Sequence, residues 1–347
     1  MSELKIGKLD NDVLKRIVID KIRLKRPEVR TRAGVGEDCA VIDFGEYECV
    51  ISTDPITADV QDIGRLAIHI SCNDIASNGI EPLGITLACM LPPGTTEQDI
   101  AHIMEQAAQA AEEAGVEIIG GHTEITPVVT QPVIVSTAFG RGLAGASQSA
   151  RRMRPGDMLL MTKTAGLEGT GIIAVERQDE LAGILSPEEL EHAEEMIRQV
   201  SVVREGLVAG EIGTTGMHDV TEGGIYGAIW EMCRVAGLGA RIDETSIPVD
   251  PVTIKICEHY GLDYHRLISS GCMLIAASPA KAYDIVVACQ RMDPPVEASV
   301  IGRVYEGSAG VKALCRDGRE RRIAPPAADE LYKVIARDIK VDRDEKA

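Results

Sequence analysis

With 347 residues, 45% of them hydrophobic, the chain is long enough for two domains, and its net charge of −18 repels nucleic-acid backbones. Aromatic residues make up only 3%, too few for a base-stacking surface. The nine cysteines include no C-x-x-C pair and no His/Cys cluster that would signal a zinc site or a disulfide framework. No run approaches 18 apolar residues, and Met1-Ser-Glu-Leu-Lys5 lacks an apolar leader core. A soluble cytoplasmic protein without nucleic-acid or membrane partners is expected.

In chain order, Gly34-Val-Gly-Glu37-Asp38-Cys-Ala-Val-Ile42 reads as a turn into a strand, with two carboxylates at the strand mouth. Residues 50–52 form a strand whose carboxyl end carries Asp54; Asp59 and Asp62 follow as further ligands or as an acidic loop, the loop being favoured for Asp62. Residues 63–78 read as a helix with Leu66, Ile70, Asn73 and Ser77 on one face. A strand at 83–90 leads to a helix at 97–114, with Thr96 as N-cap and Gly115 as stop. A strand at 116–119 ends in Gly120-Gly121-His122-Thr123-Glu124, and a further strand covers 132–140. The Gly/Ala/Ser-rich stretch 141–149 marks a domain boundary near 148, giving domains 1–148 and 149–347.

The second half alternates again: a strand at 158–162, a long helix at 187–209, a short strand into His218-Asp219, and a helix at 222–236 opened by Gly223-Gly224. Strands at 273–277 and 298–304, an Asp317-Gly318 hairpin, and helices at 279–291 and 328–338 complete an α/β and α+β layout.

Glycine turns alternating with carboxylates suit a metal–triphosphate site, because glycine lets backbone N–H groups approach phosphate and hard carboxylate oxygens hold magnesium. Each element also has a plainer reading: a tight turn for 34–42, a cap for Asp54, a hydrogen-bonded structural histidine for His122, and capping by Asp219 or Thr221 for the 222–236 helix. Asn73 and Asp74 beside a buried face require either a bound metal or backbone partners. A P-loop, a Rossmann fingerprint, a kinase catalytic loop and a nucleophile elbow are all absent from the sequence.

Together, GVGEDCAVI, STD, NDIASNG, GGHTE and GMHDVTEGG resemble the ATP-binding superfamily of aminoimidazole ribonucleotide synthetase, the PurM-like family, over residues 30–305. The wording of GEDCAVI, HDVTEGG and residues 154–169 is most similar to its hydrogenase-maturation branch, HypE. The resemblance implies a two-domain fold. Its N-terminal ATP-binding domain pairs with a second copy into a β-barrel-like dimer core, and its C-terminal domain is α+β. It implies ATP and Mg2+ as cofactors, with Asp38, Asp54 and Asp74 as magnesium ligands. Nucleotide contacts would come from Glu37, Asn73, Gly120, Gly121, His122, Thr123, Glu222, Gly223 and Gly224. His218 and Asp219 would lie near the transferred group.

The implied activity is HypE-like phosphoryl transfer to a carbonyl or amide oxygen of a small-molecule or protein-borne acceptor, with a partner in a maturation pathway. The alternatives are an accessory protein that binds nucleotide without turnover, and a small-molecule kinase like thiamine-monophosphate kinase. HypE carries its carbamoyl group on a terminal cysteine and has an acid where His122 stands. No cysteine follows Cys315 in this sequence, so the acceptor is expected to be a separate molecule.

Overall fold

The computed structural model describes residues 7–57, 61–307, 310–326 and 328–335. The chain folds as two compact units: residues 23–149 with 201–211, and residues 7–22, 150–200 and 212–335.

The first unit is built on six strands, β1 (Val29–Thr31), β2 (Ala40–Phe44), β3 (Tyr47–Ile56), β4 (Pro82–Leu91), β5 (Glu117–Ile125) and β6 (Val133–Leu143), in the order β1-β2-β3-β6-β4-β5. Only β4 and β5 are parallel, and the helix Glu97–Ala114 connects them, as a parallel pair requires. That helix begins with a Thr96–Asp99 capping box and ends at a left-handed Gly115, both local signals. Against β3 and β6 lies the helix Ile63–Ser77, which buries every residue except Arg65. It is therefore buried all round rather than amphipathic, and both Asn73 and Asp74 are taken inside.

The second unit is a seven-stranded sheet of β7 (Met158–Thr162), β8 (Gly216–Asp219), β9 (Gly239–Asp243), β10 (Met273–Ala277), β11 (Ala298–Tyr305), β12 (Val311–Leu314) and β13 (Glu320–Arg322). Its order is β13-β12-β9-β11-β7-β10-β8, and only β9 and β12 run parallel. Fully buried Leu159, Leu160 and Met161 of β7 and all of β10 form its centre.

Four expectations change. The helix expected at 187–209 is broken into Pro187–Glu195, a 3-10 turn Met196–Gln199 and a second helix Val203–Ile212. The restart is set from a distance, because buried Asn73 Oδ1 accepts the Val202 N–H at 2.8 Å. Residues 201–211 thereby join the first unit, where Gln148 Nε2 also donates to the Gly210 carbonyl at 3.1 Å. Second, β3 runs on through Asp54, so this acid lies inside a strand rather than beyond one. Third, Gly120–Glu124 belongs to β5 and is not a loop after it. Fourth, the 222–236 helix starts at Gly224, because Gly223 (φ +87°) and Gly224 (φ +60°) are both left-handed. Near the C-terminus the described helix is Tyr332–Ile335; residues 336–338 of the expected helix, and Asp59, lie outside the described residues.

Candidate nucleotide site

In the first unit the carboxylates of two expected magnesium ligands, Asp54 and Asp74, and the backbone carbonyl of the third, Asp38, meet at Ser52, which the sequence reading did not name as a site residue. Alternation along β3 puts Ser52 and Asp54 on one face of the sheet. Ser52 Oγ lies 2.5 Å from Asp74 Oδ2, 3.3 Å from Asp54 Oδ2 and 3.2 Å from the Asp38 carbonyl oxygen. One hydroxyl has one proton, and the shortest contact assigns it to Asp74. Two carboxylates therefore converge on a single donor in a largely buried setting, an arrangement that a hard divalent cation relieves. Asp38 is exposed and Glu37 half-buried on the tight turn closed by Glu37 N–H to the Gly34 carbonyl at 3.2 Å. Asp74 is further fixed through its carbonyl, which accepts from Cys39 Sγ, Ser77 Oγ and Asn78 Nδ2. Ser52 was findable: it is the hydroxyl two residues before Asp54, in the same strand.

Asn73 is fully buried, and its amide oxygen is engaged by the Val202 N–H, the backbone alternative weighed for it above. Gly120, Gly121, His122 and Thr123 lie on the exposed edge strand β5. In the strand order β3-β6-β4-β5 this edge is three strand spacings, about 14 Å, from β3, so the unit does not bring it to the Ser52 cluster. His122 Nε2 faces Glu124 Oε2 at 3.3 Å, with both side chains solvated. Gly121 has a packing reason of its own, since a Cβ there would sit 1.9 Å from the Leu87 carbonyl oxygen of β4.

In the second unit, β8 carries His218 and Asp219 to its carboxyl end, with Asp219 opposite Met273 of β10. His218 Nε2 is 3.2 Å from Glu231 Oε2, and its Nδ1 is 3.8 Å from Asp219 Oδ1. Asp219 is completely buried, and neither carboxylate oxygen receives a hydrogen bond. A bare buried carboxylate is costly, and a cation or a protonated ligand group is what such a residue fits. The Gly223-Gly224 helix start is already in contact with an acid: Gly223 N–H donates to Asp329 Oδ2 at 2.7 Å. Sequence reasoning missed Asp329, which lies 106 residues away along the chain.

With this geometry in view, the relationships of the chain follow. The AIR synthase related protein N-terminal domain model matches residues 36–142, and the C-terminal domain model of the same family matches residues 154–313. Carbamoyl dehydratase HypE of Cupriavidus necator is 33% identical over 252 residues, covering 71% of this chain and 68% of that protein. A putative hydrogenase expression/formation protein of Methanocaldococcus jannaschii is 26% identical over 342 residues, 94% of this chain and 97% of its own. The crystal structure of hydrogenase maturation protein HypE in complex with ATP superposes with a TM-score of 0.72 at 23% identity, over 94% of this chain and 98% of that one. Sequence and fold agree that the chain belongs to the AIR synthase related, PurM-like family.

Proposed function

We propose that this protein is an ATP- and magnesium-dependent enzyme that, like HypE, activates a carbonyl or amide oxygen by phosphorylation. The convergence of Asp54, Asp74 and the Asp38 backbone on Ser52 carries this reading, in a chain similar to carbamoyl dehydratases. Bound magnesium would neutralise triphosphate charge, with Asp38, Asp54 and Asp74 as its ligands. Glu37 and Asn73 of the first unit, and Glu222, Gly223 and Gly224 of the second, are assigned to the nucleotide; His218 and Asp219 are assigned to the transferred group. In the reaction the acceptor oxygen forms a bond to the γ-phosphorus, the bond from that phosphorus to the β–γ bridging oxygen breaks, and ADP leaves with the electron pair.

The acceptor is proposed to be a separate molecule. Seven of the nine cysteines are buried, and Cys49 and Cys315 are half-buried. Burial pushes Cys72, Cys233 and Cys257 up to about 12. The Cys315 thiol is also raised, through desolvation and its hydrogen bond to Glu244 Oε1 at 3.4 Å. These thiols are protonated at neutral pH and poorly suited to carry a group. The free cysteines also favour a reducing cytoplasm, and no described helix is long and apolar enough to cross a membrane.

A homodimer paired through β5 is part of the proposal. This edge strand exposes Ile119 and Ile125 beside Leu83 of β4, an invitation to pairing that a second copy would satisfy. It would also give Gly120, Gly121, His122 and Thr123 a nucleotide to serve on the partner subunit, since they are remote from their own Ser52 cluster. The names of the relatives favour a protein partner in hydrogenase maturation. The test is to incubate the protein with MgATP and a carbamoyl-bearing acceptor protein and to follow ADP formation. Acceptor-dependent ADP release is expected. Tight MgATP binding without turnover would replace the enzyme reading with the accessory one, and absence of MgATP binding would sink both.

A further inference from the structure

One face of the second sheet carries four cations side by side. In the strand register, Arg303 of β11 lies opposite Arg241 of β9, Arg241 opposite Lys312 of β12, and Lys312 opposite Arg322 of β13. Residues directly opposite one another share a side of the sheet, so the four form one row across four strands. At a strand spacing of about 4.8 Å the row is about 14 Å long. All four residues are exposed, while their strand neighbours Ala240, Ile242, Val304, Val311 and Ala313 are buried on the other side.

Little on the protein answers this charge. Glu320, two residues before Arg322 and on the same side, reaches Arg241 at 2.7 Å and Lys312 at 3.7 Å. Asp243 shares that side too, but its carboxylate accepts the Thr245 N–H at 2.9 Å and hydroxyl at 2.7 Å. Arg303 Nε donates to the Gly156 carbonyl at 3.2 Å, and neither Arg303 nor Arg322 has an ion-pair partner among the described residues. Like charges set directly opposite one another repel, so the row costs the sheet stability until an anion lies across it. It does so on a chain of net charge −18, where a positive strip is the exception.

We propose that this row is a docking surface for an acidic helix of a partner protein. Acids at i, i+3, i+7 and i+10 lie on one helix face and span about 15 Å, since each residue rises about 1.5 Å. That matches the row, so a helix laid across the strands sets one carboxylate against each cation. An extended strand spaces its same-side acids about 6.8 Å apart, and four of them overrun the row by about 6 Å. Nucleic acid fits less well, because a long polyanion would run past the row onto a chain that is acidic overall. Tyr305, 48% exposed and two residues beyond Arg303 on the same side, offers an apolar contact beside the row.

The experiment follows the fluorescence anisotropy of a labelled Ala/Gln helix of about 16 residues, with four glutamates at those positions, as the full chain is added at low salt. One control peptide has the same composition with the glutamates spread around the helix, and a second control is a single-stranded DNA oligomer of similar charge. The one-sided peptide should bind at least about tenfold tighter than the scrambled one and weaken steeply with added salt. Lys312→Glu sets an acid in the middle of the row and should weaken that peptide at least about tenfold with the melting temperature held. Glu320→Gln removes the competing acid and should tighten it about twofold. If Lys312→Glu does not fold, Arg322→Gln on the edge strand decides, with an expected loss of about threefold. No binding of either peptide, equal binding of both, or an unchanged affinity in the deciding variant would overturn the proposal. Tighter binding of the DNA oligomer than of the one-sided peptide would also overturn it and make the row a nucleic-acid face. No nucleotide enters the assay, so its outcome is independent of the proposed activity.

Discussion

Glu48 in the first unit and Asp219 in the second are both almost completely buried, yet they keep opposite company. Glu48 accepts the Ser147 N–H at 2.6 Å and the Gly145 N–H at 2.7 Å, and pairs with the Arg30 guanidinium. Burial alone would push its carboxyl up; the backbone donors, the Ser147 hydroxyl and Arg30 outweigh it and hold Glu48 below the usual carboxylate range. Asp219 has no donor on either oxygen. The same burial therefore marks a finished structural joint in one case and a carboxylate left without a donor in the other. The difference lies in the hydrogen bonds and not in the exposure.

Four measurements would break or sharpen this contrast. Glu48→Gln should cost the most, about 2–3 kcal/mol of unfolding free energy by urea titration, because it withdraws the charge that Arg30 pairs with and leaves one of the Ser147 and Gly145 N–H groups facing an amide N–H2, while Arg30 keeps Asp43 and the Ser147 hydroxyl. Because its folded pKa is depressed, Glu48 contributes stability above the unfolded carboxylate range that is lost as pH falls. The variant should lose that acid dependence, and an unchanged denaturation midpoint would refute the structural assignment. Asp219→Asn should do the reverse, gaining about 1–2 kcal/mol of stability by removing a bare buried charge, while acceptor-dependent ADP formation collapses. A destabilised D219N would mean that the carboxylate is paired after all.

Asp74→Asn comes next. It keeps an acceptor for Ser52 but withdraws the charge, so MgATP binding should weaken at least about tenfold, or 1.4 kcal/mol, with the melting temperature held. Equal calorimetric affinities would overturn the proposal that it is a metal ligand. The smallest effect concerns Asp329, which desolvation raises to about 6 despite its three N–H partners, with the Glu222 charge adding in the same direction. A raised folded pKa means the folded state holds the proton over the range between the unfolded value and about 6. This contribution is present at low pH and fades as pH rises through 6. Relative to D329N, the unaltered protein should gain about 1 kcal/mol of stability on going from pH 7 to pH 5. Parallel stability–pH curves for the two proteins would contradict it.

What was legible in the sequence was what is decided locally. The helix Glu97–Ala114 carries its own start, stop and period, and its limits are as read. Strands β7 and β10 are short apolar runs with turns at both ends, and they too fall where expected. The helix Leu167–Glu176 escaped notice because Gly169 and Gly171 weaken its helical signal; packing sets both, since a Cβ would meet Leu267 at 2.5 Å and Ile197 at 2.9 Å. The carboxylates of the site were visible because acids at strand ends and on buried helices are anomalous one at a time. Their organiser was not. Ser52 is an ordinary strand residue until Asp74, 22 positions later, is folded against it. The break after Gln199 belongs to the same class, since the group that restarts the helix lies 129 residues earlier.

The return of residues 201–211 to the first unit has a consequence for how the protein is made. A nascent chain that has just released its sixth strand from the ribosome holds a complete sheet but lacks the strip that satisfies Asn73. That buried amide must wait, hydrated or wrongly paired, until more than fifty further residues have emerged. Order of synthesis and order of assembly therefore disagree. The first unit closes only after part of the second has been translated, and a chain halted near residue 148 would remain open at the place where its central helix is most polar.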